Sequence, residues 1–427
     1  MPCRPVKGRN VSPRPERTPH AHPGTTPAPE NTRGPGRRAV LGAALGAGVL
    51  GAGVLGATGS GGASAAQPNP AGRPADARRG AAETKAAFLG TFGAGIVSCT
   101  YDTATGALTQ TGSFTEVTDP TFLALGPSGD VLYAIDGAGP EGAVRAFGVG
   151  EDGALTPLGS ARSTGGAGVT HLSVHPGGGH LLSANYEAGS VAVHPLGDDG
   201  APGERTALVQ HEGSGPDPRQ EGPHAHQVVT DPEGAWVFAV DLGTDRVYTY
   251  KLDTGSGALE PVSEAASEPG AGPRHLVFHP TEPYAYVANE LDSTVTAYAY
   301  DAATGKLTPG ESWPTLPDGE DPGDRNYPAE VVVSADGKYL YLSNRGHESV
   351  AWFAVEDGGA KLAIAGTVPC GGSWPRHISL SPSGGVLFSG NEKGNNVGVF
   401  TVDKESGEPT ASGDPFATAS TGCVLPT

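Results

Sequence analysis

Residues 284–301 read YAYVANELDSTVTAYAYD: an apolar strand stopping on Asn, a short polar turn, and a second strand that alternates apolar and polar residues. Working outward, the first strand recurs as AFLGTFGA from Ala87, VLYAIDGA from Val131, HLLSANYE from His180, WVFAVDLG from Trp236, YLYLSNRG from Tyr339 and VLFSGNEK from Val386. Each partner strand carries a valine, at Val97, Val144, Val191, Val247, Val295, Val350 and Val397, so the intervals are 47, 47, 56, 48, 55 and 47 residues. A period of about 50 residues made of several short strands indicates propeller blades rather than a helical solenoid. The chain therefore reads as all-β, a seven-bladed β-propeller over residues 86–427 with four antiparallel strands per blade.

Most of these pairs follow a further strand that ends in a proline turn: TFLALGP, THLSVHP, HQVVTDP, RHLVFHP and RHISLSP, with AEVVVSA lacking the proline. Only six such strands exist, and the first repeat has none. The C-terminal TGCVLPT from Thr421 is a strand without a blade of its own. Pairing it into the N-terminal blade closes the ring and removes two exposed sheet edges. LTQTGSF, LTPLGSA and LTPGESW fit the outermost strands.

In an antiparallel blade, the start of the innermost strand and the end of the second strand lie at one mouth of the channel. Six residues before the turn proline, the innermost strands carry Thr121, Thr170, His226, Arg274 and Arg376, with Ala329 as the equivalent in AEVVVSA. One residue on come Phe122, His171, Gln227, His275, Glu330 and His377, which simple alternation places on the opposite strand face. The second strands end on Tyr186, Glu290, Arg345 and Glu392, and the long connections Gln210–Pro223 and Leu316–Pro328 overhang the same mouth. A polar channel lining or a structural Arg274–Glu290 pair would also explain some of these residues. Three arginines beside one carboxylate, in a chain of net charge −19, favour a site for an anion. His175 and His279 precede the turn at the far mouth and read as turn caps. His224 and His226 supply two ligands without a third, and no C-x-x-C spacing occurs, so neither a metal nor another cofactor is expected.

Composition agrees with strands and turns: 67 Gly, 39 Pro and a single Met. Residues 1–38 hold eight Lys/Arg against two Asp/Glu, and Ala39 to Ala66 carries no charge. Arg37-Arg38 before this weakly apolar run reads as a Tat-like export signal over residues 1–66, followed by a flexible linker over 67–85. A retained anchor over Val40–Ala57 is the competing reading. Loss of the signal takes the net charge from −19 to −25, which disfavours nucleic acid as a partner. The expected product is an exported monomer with no stable membrane insertion. Cys99, Cys370 and Cys423 remain, enough for at most one internal disulfide.

The blocks GPHAHQVVTDPEGAWVFAVDLGTDRVYTYKLD (222–253), GPRHLVFHPTEPYAYVANELDSTVTAYAYD (272–301) and YLYLSNRGHESVAWF (339–353) resemble the bacterial lactonase family of seven-bladed propellers. That family includes propeller-type 6-phosphogluconolactonases and fungal 3-carboxy-cis,cis-muconate lactonizing enzymes. The resemblance implies a catalytic set on His226, Arg274, Glu290 and Arg345, the residues reached above from repeat geometry. Arg376 in WPRHISLSP resembles an arginine of the phosphogluconolactonase branch and is expected to bind substrate, along with its channel neighbours His275, Glu330, His377 and His171. The implied activity is metal-independent hydrolysis of an anionic, sugar-acid-like lactone. An export signal is a departure from a cytosolic phosphogluconate pathway. Two alternatives stand beside hydrolysis: a muconate-type lactonizing cycloisomerase, and a non-enzymatic secreted propeller of the surface-layer type.

Overall fold

A computed structural model describes residues 83–151 and 153–427. The proposed signal over 1–66 and nearly all of the 67–85 linker lie outside the described residues. The first strand begins at Thr84.

Seven sheets, each with at least four antiparallel strands, form the ring. Blade 1 takes its innermost strand, Thr421–Pro426, from the C-terminus, where it pairs with Thr84–Thr91 in the register Ala87↔Pro426 and Leu89↔Val424. The expected closure is thus present. The innermost strands of blades 2 to 7 are Leu123–Leu125, Val169–Val174, Ala225–Thr230, Pro273–Phe278, Tyr327–Val333 and Pro375–Leu380. Blade 7 departs from the plain pattern because its outer edge is split into Pro409–Ala411 and Phe416–Ala417, both on Asn396–Val402.

The core is divided into seven apolar clusters, one between each pair of neighbouring blades. Each inner strand therefore buries both faces. His180–Asn185 and Val386–Asn391 are buried along their whole length, which explains why these strands read as apolar runs. Outermost strands such as Leu108–Phe114 are largely exposed and mix polar residues in. Tyrosines in the second strands also tie the ring: the Tyr133, Tyr286 and Tyr341 hydroxyls each donate at 2.9 Å to the carbonyls of Gly200, Gly359 and Gly407 respectively. All three cysteines among the described residues are free and buried, so no disulfide staples the blades.

Candidate active site at one mouth of the channel

The innermost strands share a local irregularity at the mouth. The ladder shifts register between Val169 and His171, Ala225 and Gln227, Pro273 and His275, and Pro375 and His377. The extra residues are Thr170, His226, Arg274 and Arg376, each at a β-bulge that re-aims its side chain. Strict alternation had placed each of these on the face opposite its successor. The bulge instead lets two consecutive residues serve the channel, one above the other.

The upper tier borders a cavity of 430 Å³ whose lining includes Tyr186, Arg219, His226, Glu290, Arg345 and Arg376. Glu290 is its electrostatic centre. Oε1 lies 2.6 Å from Arg219 Nη1, and Oε2 lies 2.6 Å from Arg345 Nη2 and 3.2 Å from Arg274 Nε. Burial alone would raise the Glu290 pKa, but Arg345, Arg274 and Arg219 outweigh it and hold the carboxyl at about 2. Arg274 is fully buried behind the lining and donates from Nη1 to the Ala329 carbonyl at 2.7 Å. Its burial, with Arg345 and Arg376 nearby, pushes its pKa down to about 9. Arg345 donates to the carbonyls of Tyr327 and Pro328 and lies over the Trp374 ring. Arg376 sits 3.4 Å from Glu392 and over the Phe92 ring. Asp119 and Glu187 also line the cavity, on the side of blades 2 and 3, so the mouth is cationic toward blades 5 to 7 and acidic across from them.

The lower tier is a girdle beneath the cavity. His171 Nδ1 accepts the Val228 N–H, Gln227 Oε1 accepts the Leu276 N–H, His377 Nδ1 accepts the Val424 N–H, and Cys423 Sγ lies 3.7 Å from His377 Nε2. Each bond runs from one blade to the next, so the layer fixes the ring beneath the site. His275 and Glu330 complete this tier and bond to each other.

A family model described as "Lactonase, 7-bladed beta-propeller" matches residues 86–426. The chain belongs to this lactonase family. It is 36% identical over 328 residues to the 6-phosphogluconolactonase of Bacillus subtilis, covering 76% of this chain and 93% of that one. Among solved structures, the periplasmic gluconolactonase of Pseudomonas aeruginosa superposes with a TM-score of 0.75 at 26% identity, over 81% of this chain and 99% of that one. A protein from Lactobacillus plantarum superposes at 0.76 with 31% identity, over 81% and 100%.

For this lactonase propeller, the structure brings His226, Arg274, Glu290, Arg345 and Arg376 together at one mouth. It sets His171, His275, Glu330 and His377 one tier lower, outside the cavity lining. Arg219 was not singled out from sequence, although it is the only cation in the Gln210–Pro223 connection. That connection is anchored by buried Gln220, which donates to Leu242 O at 2.8 Å and Asp245 Oδ1 at 2.6 Å. The second long connection presses on the site too. Gly346, directly after Arg345, has φ +95°, and a Cβ there would meet Arg325 O at 2.1 Å. Among the described residues no His/Cys/Asp/Glu group is arranged to hold a metal ion.

Proposed function

We propose that the protein hydrolyses sugar-acid lactones at this mouth, with His226 as the general base and the arginines as stabilisers of negative charge. The observation that carries the assignment is the convergence of His226 with Arg345, Arg376 and an arginine-held Glu290 on one cavity of a lactonase-family propeller. Burial, then Arg274 and His275, keep the His226 pKa well below its ordinary value, so the ring is neutral and ready to accept a proton at neutral pH. Water gives a proton to His226 as its oxygen attacks the lactone carbonyl. The carbonyl electrons move onto oxygen, where guanidinium groups stabilise them. Collapse of this intermediate breaks the ring C–O bond, and the proton on His226 goes to the departing ring oxygen. The product is a hydroxy acid.

The polarised lining supports a polyhydroxylated substrate with an anionic end. Arg345 and Arg376 suit the anion, and Asp119 and Glu187 suit hydroxyl donors. The similarity to a periplasmic gluconolactonase, together with the Tat-like sequence before the propeller, supports export and an unphosphorylated lactone. The similarity to a 6-phosphogluconolactonase supports acceptance of a 6-phosphate. The family relatives favour hydrolysis over muconate cyclisation and over a purely binding role. The test is a panel of glucono-δ-lactone, its 6-phosphate and cis,cis-muconate, assayed with and without chelator. Turnover of a sugar-acid lactone unaffected by chelator is expected; muconate cyclisation alone, or no turnover of any lactone, would overturn the reading.

A further inference from the structure

Glu330, His275 and His226 form a chain of hydrogen bonds that rises from the lower tier into the cavity. Glu330 Oε1 lies 2.9 Å from His275 Nδ1, and His275 Nε2 lies 3.1 Å from His226 Nδ1. Each link can be assigned a direction from its surroundings. The Val331 N–H donates to Glu330 Oε1 at 3.2 Å, so that oxygen is an acceptor. His377 accepts the Val424 N–H on Nδ1, which leaves its own proton on Nε2, 3.5 Å from Glu330 Oε2. An ionised Glu330 accepts on Oε1 from Val331 and His275, while its Oε2 has no hydrogen-bond partner among the described residues. With Glu330 ionised, His275 carries its proton on Nδ1 and accepts the His226 Nδ1–H on Nε2. The lone pair of His226 Nε2 is then the free end of the chain, on a residue that lines the cavity.

We infer that Glu330 and His275 are positioning residues: they fix His226 in the tautomer whose Nε2 can accept a proton, and they stabilise the charge it acquires. This rests on the reading of His226 as the base, and it moves Glu330 and His275 from the substrate-binding role expected from sequence to a supporting one. No proton leaves the chain during turnover. When water protonates Nε2, the imidazolium keeps its Nδ1–H on His275, and the negative charge of Glu330 faces the new positive charge through the intervening ring. Such help is needed because the groups facing His226 and His275 are mostly cationic. Arg274, Arg345 and Arg376 oppose an imidazolium, with His171 and His377 beside the relay and Glu290 a counter-charge to His275. The Glu330 pKa is raised on balance, because burial outweighs the lowering by His377, Arg274 and the Val331 amide.

The experiment compares Glu330→Gln, His275→Gln, His275→Ala and His226→Ala in the full chain, with glucono-δ-lactone as the probe. Glu330→Gln keeps an oxygen for the Val331 and His275 donors and removes only the charge. Its kcat should fall roughly 10- to 100-fold with KM nearly unchanged, and the acid limb of kcat/KM should move to lower pH. His275→Gln retains an acceptor for His226 Nδ1–H and should keep more kcat than His275→Ala. Nitrogen NMR of the wild-type imidazoles should find His226 protonated on Nδ1 at neutral pH. A Glu330→Gln variant with the parent's kcat and acid limb, equal losses in the two His275 variants, or His226 protonated on Nε2 would each overturn the relay. If His226→Ala stays active, the base assignment itself fails; if it is inactive while Glu330→Gln behaves as the parent, only the relay fails.

Discussion

The two mouths of the channel use the same residue type in opposite ways. At the far mouth, His175 Nδ1 accepts the Gly177 N–H at 3.0 Å while Nε2 meets Gly234 O at 2.9 Å. His279 repeats this, accepting the Thr281 and Glu282 N–H groups on Nδ1 and meeting Gly337 O at 3.0 Å. Both nitrogens are occupied by backbone, and each ring joins its own turn to that of the next blade. At the near mouth His226 is bonded on one nitrogen only, with the other facing a cavity. Burial is nearly equal, at 5% exposure for His226 against 8% and 7% for His175 and His279. What separates His226 from the turn histidines is spare hydrogen-bonding capacity, not depth.

The sharpest way to break this comparison is to remove the histidines in turn. His226→Ala should cost about 10²- to 10⁴-fold in turnover, the usual contribution of a positioned general base. Glu290→Ala should follow, since it strands three guanidinium groups; a loss of about 3–5 kcal/mol by denaturant unfolding is expected, along with loss of activity. His175→Ala or His279→Ala should cost only about 1–3 kcal/mol of stability by leaving turn amides unpaired, with kcat unchanged. Arg219→Ala should show as a rise in KM of about tenfold and little change in the melting temperature, because this arginine reaches the site from a partly exposed loop.

Acid should expose the same contrast. Glu290 is held near 2 against an ordinary 4.5, so the stability it contributes is present above pH 4.5 and is lost as pH falls toward 2. His377 is shifted by burial from 6.5 to about 4, so the unfolded chain takes up its proton first and stability declines as pH drops from 6.5 to 4. Melting temperature should therefore fall in two stages on acidification. Glu290→Gln should flatten the lower stage, and His377→Gln should reduce the upper one, to which buried His171, His226 and His275 also contribute.

The blade count, the C-terminal closure and the mouth bearing the charged residues were all legible in sequence, because each blade repeats one strand pair and the turn prolines fix the register between repeats. Depth was not legible. Alternation assigns Arg274 and His275 to opposite faces, and only the bulge between Pro273 and His275 shows that both serve the channel. For the same reason His171, His275, Glu330 and His377 looked like cavity residues and instead form a girdle below it. Arg219 escaped notice because it lies outside the repeat, on a connection where no period guides the eye; its status as the lone cation of an acidic loop was the available signal.

The most direct test sets His226→Ala beside His279→Ala and measures the initial rate of glucono-δ-lactone opening and the melting temperature of each. The account predicts that the first loses turnover by about 10²-fold or more while staying folded, and that the second melts earlier and keeps its rate. A His226→Ala protein that opens the lactone at the parent's rate, or a His279→Ala protein that is folded and inactive, would contradict it.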